Sequence, residues 1–149
     1  MREQAVAIAL ALIKRFEGCR LSPYLCPAGV PTIGYGSTWY LDGTAVVLSD
    51  PPITLEMAEE LLVNTVLREY LPKTLLLCPG LDTDKRTAAI VDFCYNLGVK
   101  RLKISTLRKR INEQSWEEVI GELLKWTMAG GKSLRGLVLR RTAEGQLIL

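Results

Sequence analysis

With 149 residues, 48% of them hydrophobic and 23% charged, the chain has the make-up of one globular domain, large enough to bury its own core without disulfide or metal staples. It contains no histidine, and its four cysteines, Cys19, Cys26, Cys78 and Cys94, form no C-x-x-C pair. These absences argue against a zinc site and exclude every nucleophile system built on Ser-His or Cys-His. The net charge of +3 is small but uneven, because Lys100, Arg101, Lys103, Arg108, Lys109 and Arg110 cluster, and Lys132, Arg135, Arg140 and Arg141 follow. The C-terminal half is therefore expected to carry a basic surface, facing a nucleic acid, an anionic membrane or an acidic wall polymer, or else no more than a solvated helix face.

Residues 2 to 16 place Ala5, Ile8, Ala9, Leu12, Ile13 and Phe16 at helical spacing, and Gly18 stands where that helix stops. The apolar run AVAIALALI is too short to span a bilayer, which needs about 20 apolar residues. Lys14, Arg15 and Glu17 follow it where a signal peptide would carry small residues for cleavage, so it reads as a buried helix. From Gly18 to about Pro52, glycine and proline punctuate strand-like pieces such as PTIGYGSTWYL and TAVVL, which predicts a small antiparallel sheet.

Thr54 is then a plausible N-cap for EMAEELLVNTVLREYL, with Pro72 ending that run and a second stop at Pro79 and Gly80. Asp82 or Thr83 caps DKRTAAIVDFCYNL, which Gly98 closes, and Ser105 opens TLRKRIN. Ser115 with Glu118 has the spacing of a capping box, and a last helix starts near Leu134. The predicted class is α+β: a small β lobe at about 18–52 and a helical lobe of 1–17 with 53–149, forming one domain with a ligand cleft between the lobes. Trp116, Trp126, Leu137 and Val138 read as packing.

Glu17 falls at the C-terminal end of the first helix, where the negative end of the macrodipole favours the protonated acid and so a proton donor. On its own it reads first as a bland, partly exposed helix-end glutamate. Its neighbours alter that reading, since Glu17, Cys26 and Thr32 stand in the order E-x8-C-x5-T, and Thr32 opens the hairpin sequence TIGYGST.

This pattern resembles the catalytic opening of the phage-type lysozymes, glycoside hydrolase family 24, in which Glu is followed by Asp or Cys and then by Thr within a T-I-G-x-G-x-T hairpin. The resemblance extends to AAIVDFCYNLG, STLRKRIN and WTMAGGKSLRGLVLRR in the same order, so it covers nearly the whole chain. It implies a lysozyme-like fold and a muramidase that hydrolyses the β-1,4 bond between N-acetylmuramic acid and N-acetylglucosamine in bacterial peptidoglycan. By the same resemblance Glu17 is the general acid, Cys26 and Thr32 hold and activate the hydrolytic water, and Tyr35, Thr38, Tyr95 and Ser105 lie near the saccharide. Tyr95 reads equally as helix core.

Cys26 stands where many members have aspartate. A thiol with a pKa of about 8.5 is only a few per cent ionised near pH 7, so Cys26 is either a thiolate base in a site that lowers that value or a polar group that orients water. As a free cysteine it also reads as a small buried hydrophobe. Cys19, two residues after Glu17, is either a second such residue or close enough to Cys26 to form a disulfide that would consume the thiol. The resemblance further implies a monomeric phage or prophage endolysin with no metal and no cofactor. Its partner is peptidoglycan, with no nucleic acid and no stable membrane anchor. It is made in the host cytoplasm and acts on the wall after passing a membrane lesion. Rival readings are a virion-associated wall-drilling lysozyme and a non-catalytic binder of peptidoglycan or nucleic acid that uses the basic helices.

Overall fold

The computed structural model describes residues 2–149. Helix α1, Arg2–Glu17, buries Ala5, Ala9, Leu12 and Ile13, the spacing that the sequence pattern predicts for one helical face. It ends at Gly18, which takes a φ of 70° and returns its N–H to the Lys14 carbonyl at 3.4 Å. The chain forms two compact units, dividing within α1 after Ala9 and again between Arg68 and Glu69.

The smaller unit, Leu10–Arg68, holds the rest of α1, a two-stranded antiparallel sheet of β1 (Arg20–Leu25) and β2 (Pro31–Gly34), and helix α2 (Leu55–Thr65). The sheet is smaller than the sequence pattern suggests. TAVVL contributes only an isolated bridge between Trp39 and Ala45, because glycine, proline and aspartate break the segment into turns. Ile33, Val46 and Leu61 form the buried centre, with Tyr40, Ile53 and Met57 against them. Thr54 caps α2 as expected, its hydroxyl accepting from the Met57 N–H at 3.1 Å. Lys14 on α1 pairs with Glu59 on α2 at 3.1 Å.

The larger unit contains α3 (Leu71–Leu77), α4 (Asp84–Leu97), α5 (Val99–Lys103), α6 (Thr106–Asn112), α7 (Trp116–Leu123) and α8 (Arg135–Ile148), with a two-residue ribbon of β3 (Met128–Ala129) and β4 (Lys132–Ser133). Ile90, Phe93, Leu102, Leu107, Ile111, Val119, Leu123 and Ile148 make its core, and Trp116 and Trp126 pack on it as expected. Val138 differs: it is exposed, with Leu137 half-buried.

Pro72 does not end the helix that begins after Thr54. The chain instead makes a π-helical turn over Val66–Tyr70 and restarts, so that Pro72 falls in the first turn of α3, where no backbone N–H is needed. Ser115 makes no side-chain cap: Gln114 before it takes a left-handed φ of 58°, and Glu118 reaches Arg110 at 3.4 Å rather than turning back to the helix start. Thr83 and Ser105 do cap α4 and α6.

The basic C-terminal face is also corrected in part, because Arg140 and Arg141 are buried at 4% and 0% exposure. Arg140 grips Asp92 on α4. Arg141 lies 2.7 Å from Glu144 and donates to Asn96 at 2.8 Å. A buried charge persists only with such partners.

Candidate active site

The smaller unit assembles the predicted acid, thiol and hydroxyl from three adjacent stretches of chain. Glu17 is the exposed last residue of α1, and the positive φ of Gly18 turns the chain at once into β1. In the antiparallel register Arg20 faces Gly34, Tyr24 faces Thr32 and Leu25 faces Pro31. Four residue steps on β1 thus oppose two on β2, and Leu21, Ser22 and Pro23 form a bulge, pinned where the Leu21 carbonyl accepts from the Ile53 N–H at 2.9 Å. This bulge walls a surface hollow of about 450 Å³ lined by Arg20 to Tyr24.

Directly opposed residues in an antiparallel pair share a face, and so do residues two apart on one strand, which puts Tyr24, Cys26 and Thr32 on the same side of the sheet. The Cys26 N–H donates to the Val30 carbonyl at 3.1 Å, and the Gly29 N–H donates to the Cys26 carbonyl at 2.8 Å, so the thiol sits at the mouth of a tight hairpin turn. Gly29 takes the φ of 77° that this turn requires.

The turn tunes the thiol. The backbone N–H groups of Val30 and Ala28 point at the sulfur, and with help from the Thr32 hydroxyl they hold the Cys26 pKa below its ordinary value, against a smaller opposing effect of desolvation. Donors aimed at a sulfur stabilise the thiolate, which is both the basic and the acceptor form. Thr32 is 3% exposed, and its hydroxyl also contacts the Val30 carbonyl at 2.8 Å.

Two residues that sequence reasoning passed over complete the constellation. Tyr24 is half-buried, and burial raises its phenol pKa; Arg20 opposes the rise, while the charges of Glu17, Cys26 and Cys19 add to it. One phenol therefore senses the acid and both thiols. Arg20 lies over its ring with 4.5 Å from guanidinium to centroid. The signal for Tyr24 was present in the strand period, since it stands two residues before Cys26. No sequence signal identifies the backbone donors of Ala28 and Val30.

Cys19 and Cys26 occupy different settings. Cys19 is exposed and hydrogen-bonds with the buried Tyr35 phenol, whose pKa is raised first by burial and then by that thiol, with Lys14 5.9 Å from the ring centroid. Cys26 is partly exposed, so neither thiol is the small buried residue that a bland reading expects. Both are free.

The predicted saccharide contacts fall in both units. Tyr35 and Thr38 belong to the smaller one, where the Thr38 carbonyl accepts from Val46 at 2.9 Å. Tyr95 and Ser105 belong to the larger. Tyr95 is half-buried against Tyr70, with ring centroids 5.1 Å apart. The Ser105 hydroxyl donates to the Leu102 carbonyl at 2.7 Å and accepts from the Arg108 N–H at 3.1 Å, the arrangement of a helix cap. Among the described residues no group of three or more His, Cys, Asp or Glu could hold a metal ion.

Residues 14–144 match the profile of the family described as Phage lysozyme, a span that includes Glu17, Cys26 and Thr32. The chain belongs to the phage lysozyme family. It is 37% identical over 138 residues to the endolysin of Bacillus phage B103, an alignment that takes in 93% of this chain and 51% of that protein. It thus spans about half the length of that relative. Among solved structures the chain resembles the endolysin from Escherichia coli O157:H7 phage FAHEc1, with a TM-score of 0.83 and 32% identity over 95% of this chain and 90% of that one. It also resembles the muramidase domain of SpmX from Asticaccaulis excentricus, with a TM-score of 0.79 and 29% identity over 95% and 94% of the two chains. The α+β fold, with helices predominating over a small antiparallel sheet, is the lysozyme-like fold of the FAHEc1 endolysin.

Proposed function

We propose that this phage lysozyme is a glycoside hydrolase, a muramidase that cuts the β-1,4 bond between N-acetylmuramic acid and N-acetylglucosamine and serves a phage or prophage as its endolysin in host lysis. The observation that carries the reading is the shared neighbourhood of Glu17 and Cys26. Glu17 closes α1, Gly18 turns the chain at once into β1, and the hairpin of β1 with β2 sets Cys26 and Thr32 on one face. Glycoside hydrolysis asks for such a pair, one group to protonate the leaving oxygen and a second to serve the opposite face of the sugar.

Glu17 protonates the leaving glycosidic oxygen. Cys26, as thiolate, accepts the proton of the attacking water or fixes its position, and Thr32 orients that water through its hydroxyl. Tyr35, Thr38, Tyr95 and Ser105 are the proposed saccharide contacts; for Ser105 this means a contact made beyond its capping bonds. The enzyme acts as a monomer on the wall, reached from the host cytoplasm through a membrane lesion.

Glu17→Gln tests the assignment. The variant is nearly isosteric at an exposed helix end, so the circular dichroism spectrum and melting temperature should match the parent, while clearing of outer-membrane-permeabilised cells should fall about 100-fold or more. Mass spectrometry of the released muropeptides identifies the bond cut. Parental clearing by the folded variant removes Glu17 from the mechanism.

A further inference from the structure

Exposed leucines occur singly on most protein surfaces and call for no explanation. In the larger unit two large aliphatic side chains go beyond that. Leu76 is 80% exposed and Ile104 is 85% exposed, and among the described residues only the terminal Leu149 reaches such values. They belong to adjoining segments, because one guanidinium ties them together: Arg108 Nε donates to the Leu77 carbonyl at 2.8 Å, and its Nη1 donates to the Lys103 carbonyl at 3.3 Å. A hollow of about 440 Å³ opens beside Ile104, lined also by Lys103, Arg108 and Lys109.

The charges around this pair that form no ion pair are of one sign. Lys100, Arg101, Lys103 and Lys109 are exposed and form no ion pair among the described residues. Lys100 lies one turn before Ile104, whose N–H donates to its carbonyl at 3.3 Å. The nearby acids are occupied: Glu69 by Lys73 at 3.8 Å, and Glu113 and Glu118 by Arg110 at 3.0 and 3.4 Å. Unpaired cations beside outward-facing aliphatic tips distinguish between polyanions. A nucleic acid or wall polymer would use the cations but gains nothing from solvated Ile and Leu, whereas a lipid headgroup region uses both.

We infer that this face docks on an anionic phospholipid surface, with Ile104 and Leu76 entering the headgroup boundary and Lys100, Arg101, Lys103 and Lys109 meeting the lipid phosphates. The contact is peripheral and reversible: no described helix is long and apolar enough to cross a membrane, and two side chains give a shallow insertion. It does not involve Glu17, Cys26 or Thr32, although Ser105, a proposed saccharide contact, lines the same hollow.

Sedimentation of the full chain with large vesicles tests the inference, using phosphatidylcholine alone and phosphatidylcholine mixed with phosphatidylglycerol. Partitioning should be about tenfold or more higher on the mixed vesicles and should weaken as salt rises. The doubly substituted Leu76→Ser/Ile104→Ser protein should lose most of that gain, as should Lys100→Gln/Lys103→Gln, while all of them retain the parental melting temperature and wall-clearing rate. The fluorescence of an Ile104→Trp protein, compared with that of the parent, should shift to the blue on mixed vesicles only. The inference is overturned by equal partitioning onto both vesicle types, by parental partitioning of the Leu76→Ser/Ile104→Ser protein, by unshifted fluorescence of the Ile104→Trp protein, or by tighter binding to DNA or teichoic acid than to the vesicles.

Discussion

Arg140 holds Asp92 through two parallel hydrogen bonds, Nε to Oδ2 at 2.9 Å and Nη2 to Oδ1 at 2.8 Å, and so ties α8 to α4 with side chains exposed by only 5% and 0%. A fork of this kind fixes both angle and register between two helices. Replacing one partner breaks this buried, charge-assisted fork, and breaking such a pair costs about 3–5 kcal/mol. Asp92→Asn should therefore lower the unfolding free energy by about 3 kcal/mol, measured by urea denaturation. Glu113→Gln, which breaks a solvent-exposed pair with Arg110, should change it by no more than about 0.5 kcal/mol. Similar losses in the two variants would mean that the Asp92 pair does not brace the helices.

The lowered pKa of Cys26 gives a pH prediction with a definite sign. If the thiolate is the working form, activity rises as pH climbs through the Cys26 pKa, and the backbone donors of Val30 and Ala28 place that rise below the range of an ordinary thiol near about 8.5. Cys26→Asp replaces the thiol by a carboxylate ionised above about pH 4, so the rising limb should move to acid pH while substantial activity remains. Cys26→Ala should lose far more. The rate profiles of the three proteins from about pH 4 to 9, at constant ionic strength, decide the matter. Parental activity in the Ala variant would reduce Cys26 to packing.

Gly34 closes β2 where the chain must turn sharply and also pass close to α2. Its φ is 68°, and a Cβ placed there would lie 3.3 Å from the Ala58 Cβ. A left-handed φ costs an L-residue roughly 1–2 kcal/mol before any crowding. Gly34→Ala should therefore destabilise by about 2 kcal/mol, and since Gly34 is the register partner of Arg20 it should also lower activity by loosening the β1–β2 hairpin. Unchanged chemical denaturation would show that neither the positive φ nor the approach to α2 constrains this position.

What could be read from the sequence was mostly local chemistry. Thr54, Thr83, Ser105 and the glycines after Glu17 and Leu97 announced helix ends because a cap is a contact between residues two to four apart. Ser115 had the same signature and failed, since the left-handed Gln114 before it reorients the backbone. The burial of Arg140 was invisible because its partner Asp92 lies 48 residues away; Arg141 has Glu144 three residues on as well as the distant Asn96, but an i,i+3 pair in a one-dimensional pattern looks the same in the core as on the surface. The order of Glu17, Cys26 and Thr32 was legible as a family pattern. The environment that makes Cys26 more acidic was not, because it is built from backbone N–H groups that every sequence possesses.

The same hairpin bears on whether Cys19 and Cys26 can join. The flanks of β1 place them at opposite ends of the strand, and the end pairs Arg20–Gly34 and Leu25–Pro31 are three residue steps apart on β2, about 10 Å along a strand. A disulfide needs Cα atoms about 4.4–6.8 Å apart, so the bond cannot form while β1 and β2 remain paired. Forming it would pull Cys19 from Tyr35 and Cys26 from the donors of Val30 and Ala28, and would shift Glu17, two residues from Cys19. Oxidised protein that carries the Cys19–Cys26 bond should therefore be inactive and should show fast amide exchange over residues 20–34, with reductant restoring both protection and clearing. Cys19→Ser should remain active under the same oxidant unless Cys26 is itself oxidised to an acid, which mass spectrometry detects. Full clearing by material shown to hold the bond would refute both the hairpin argument and the role of Cys26 as a free thiol.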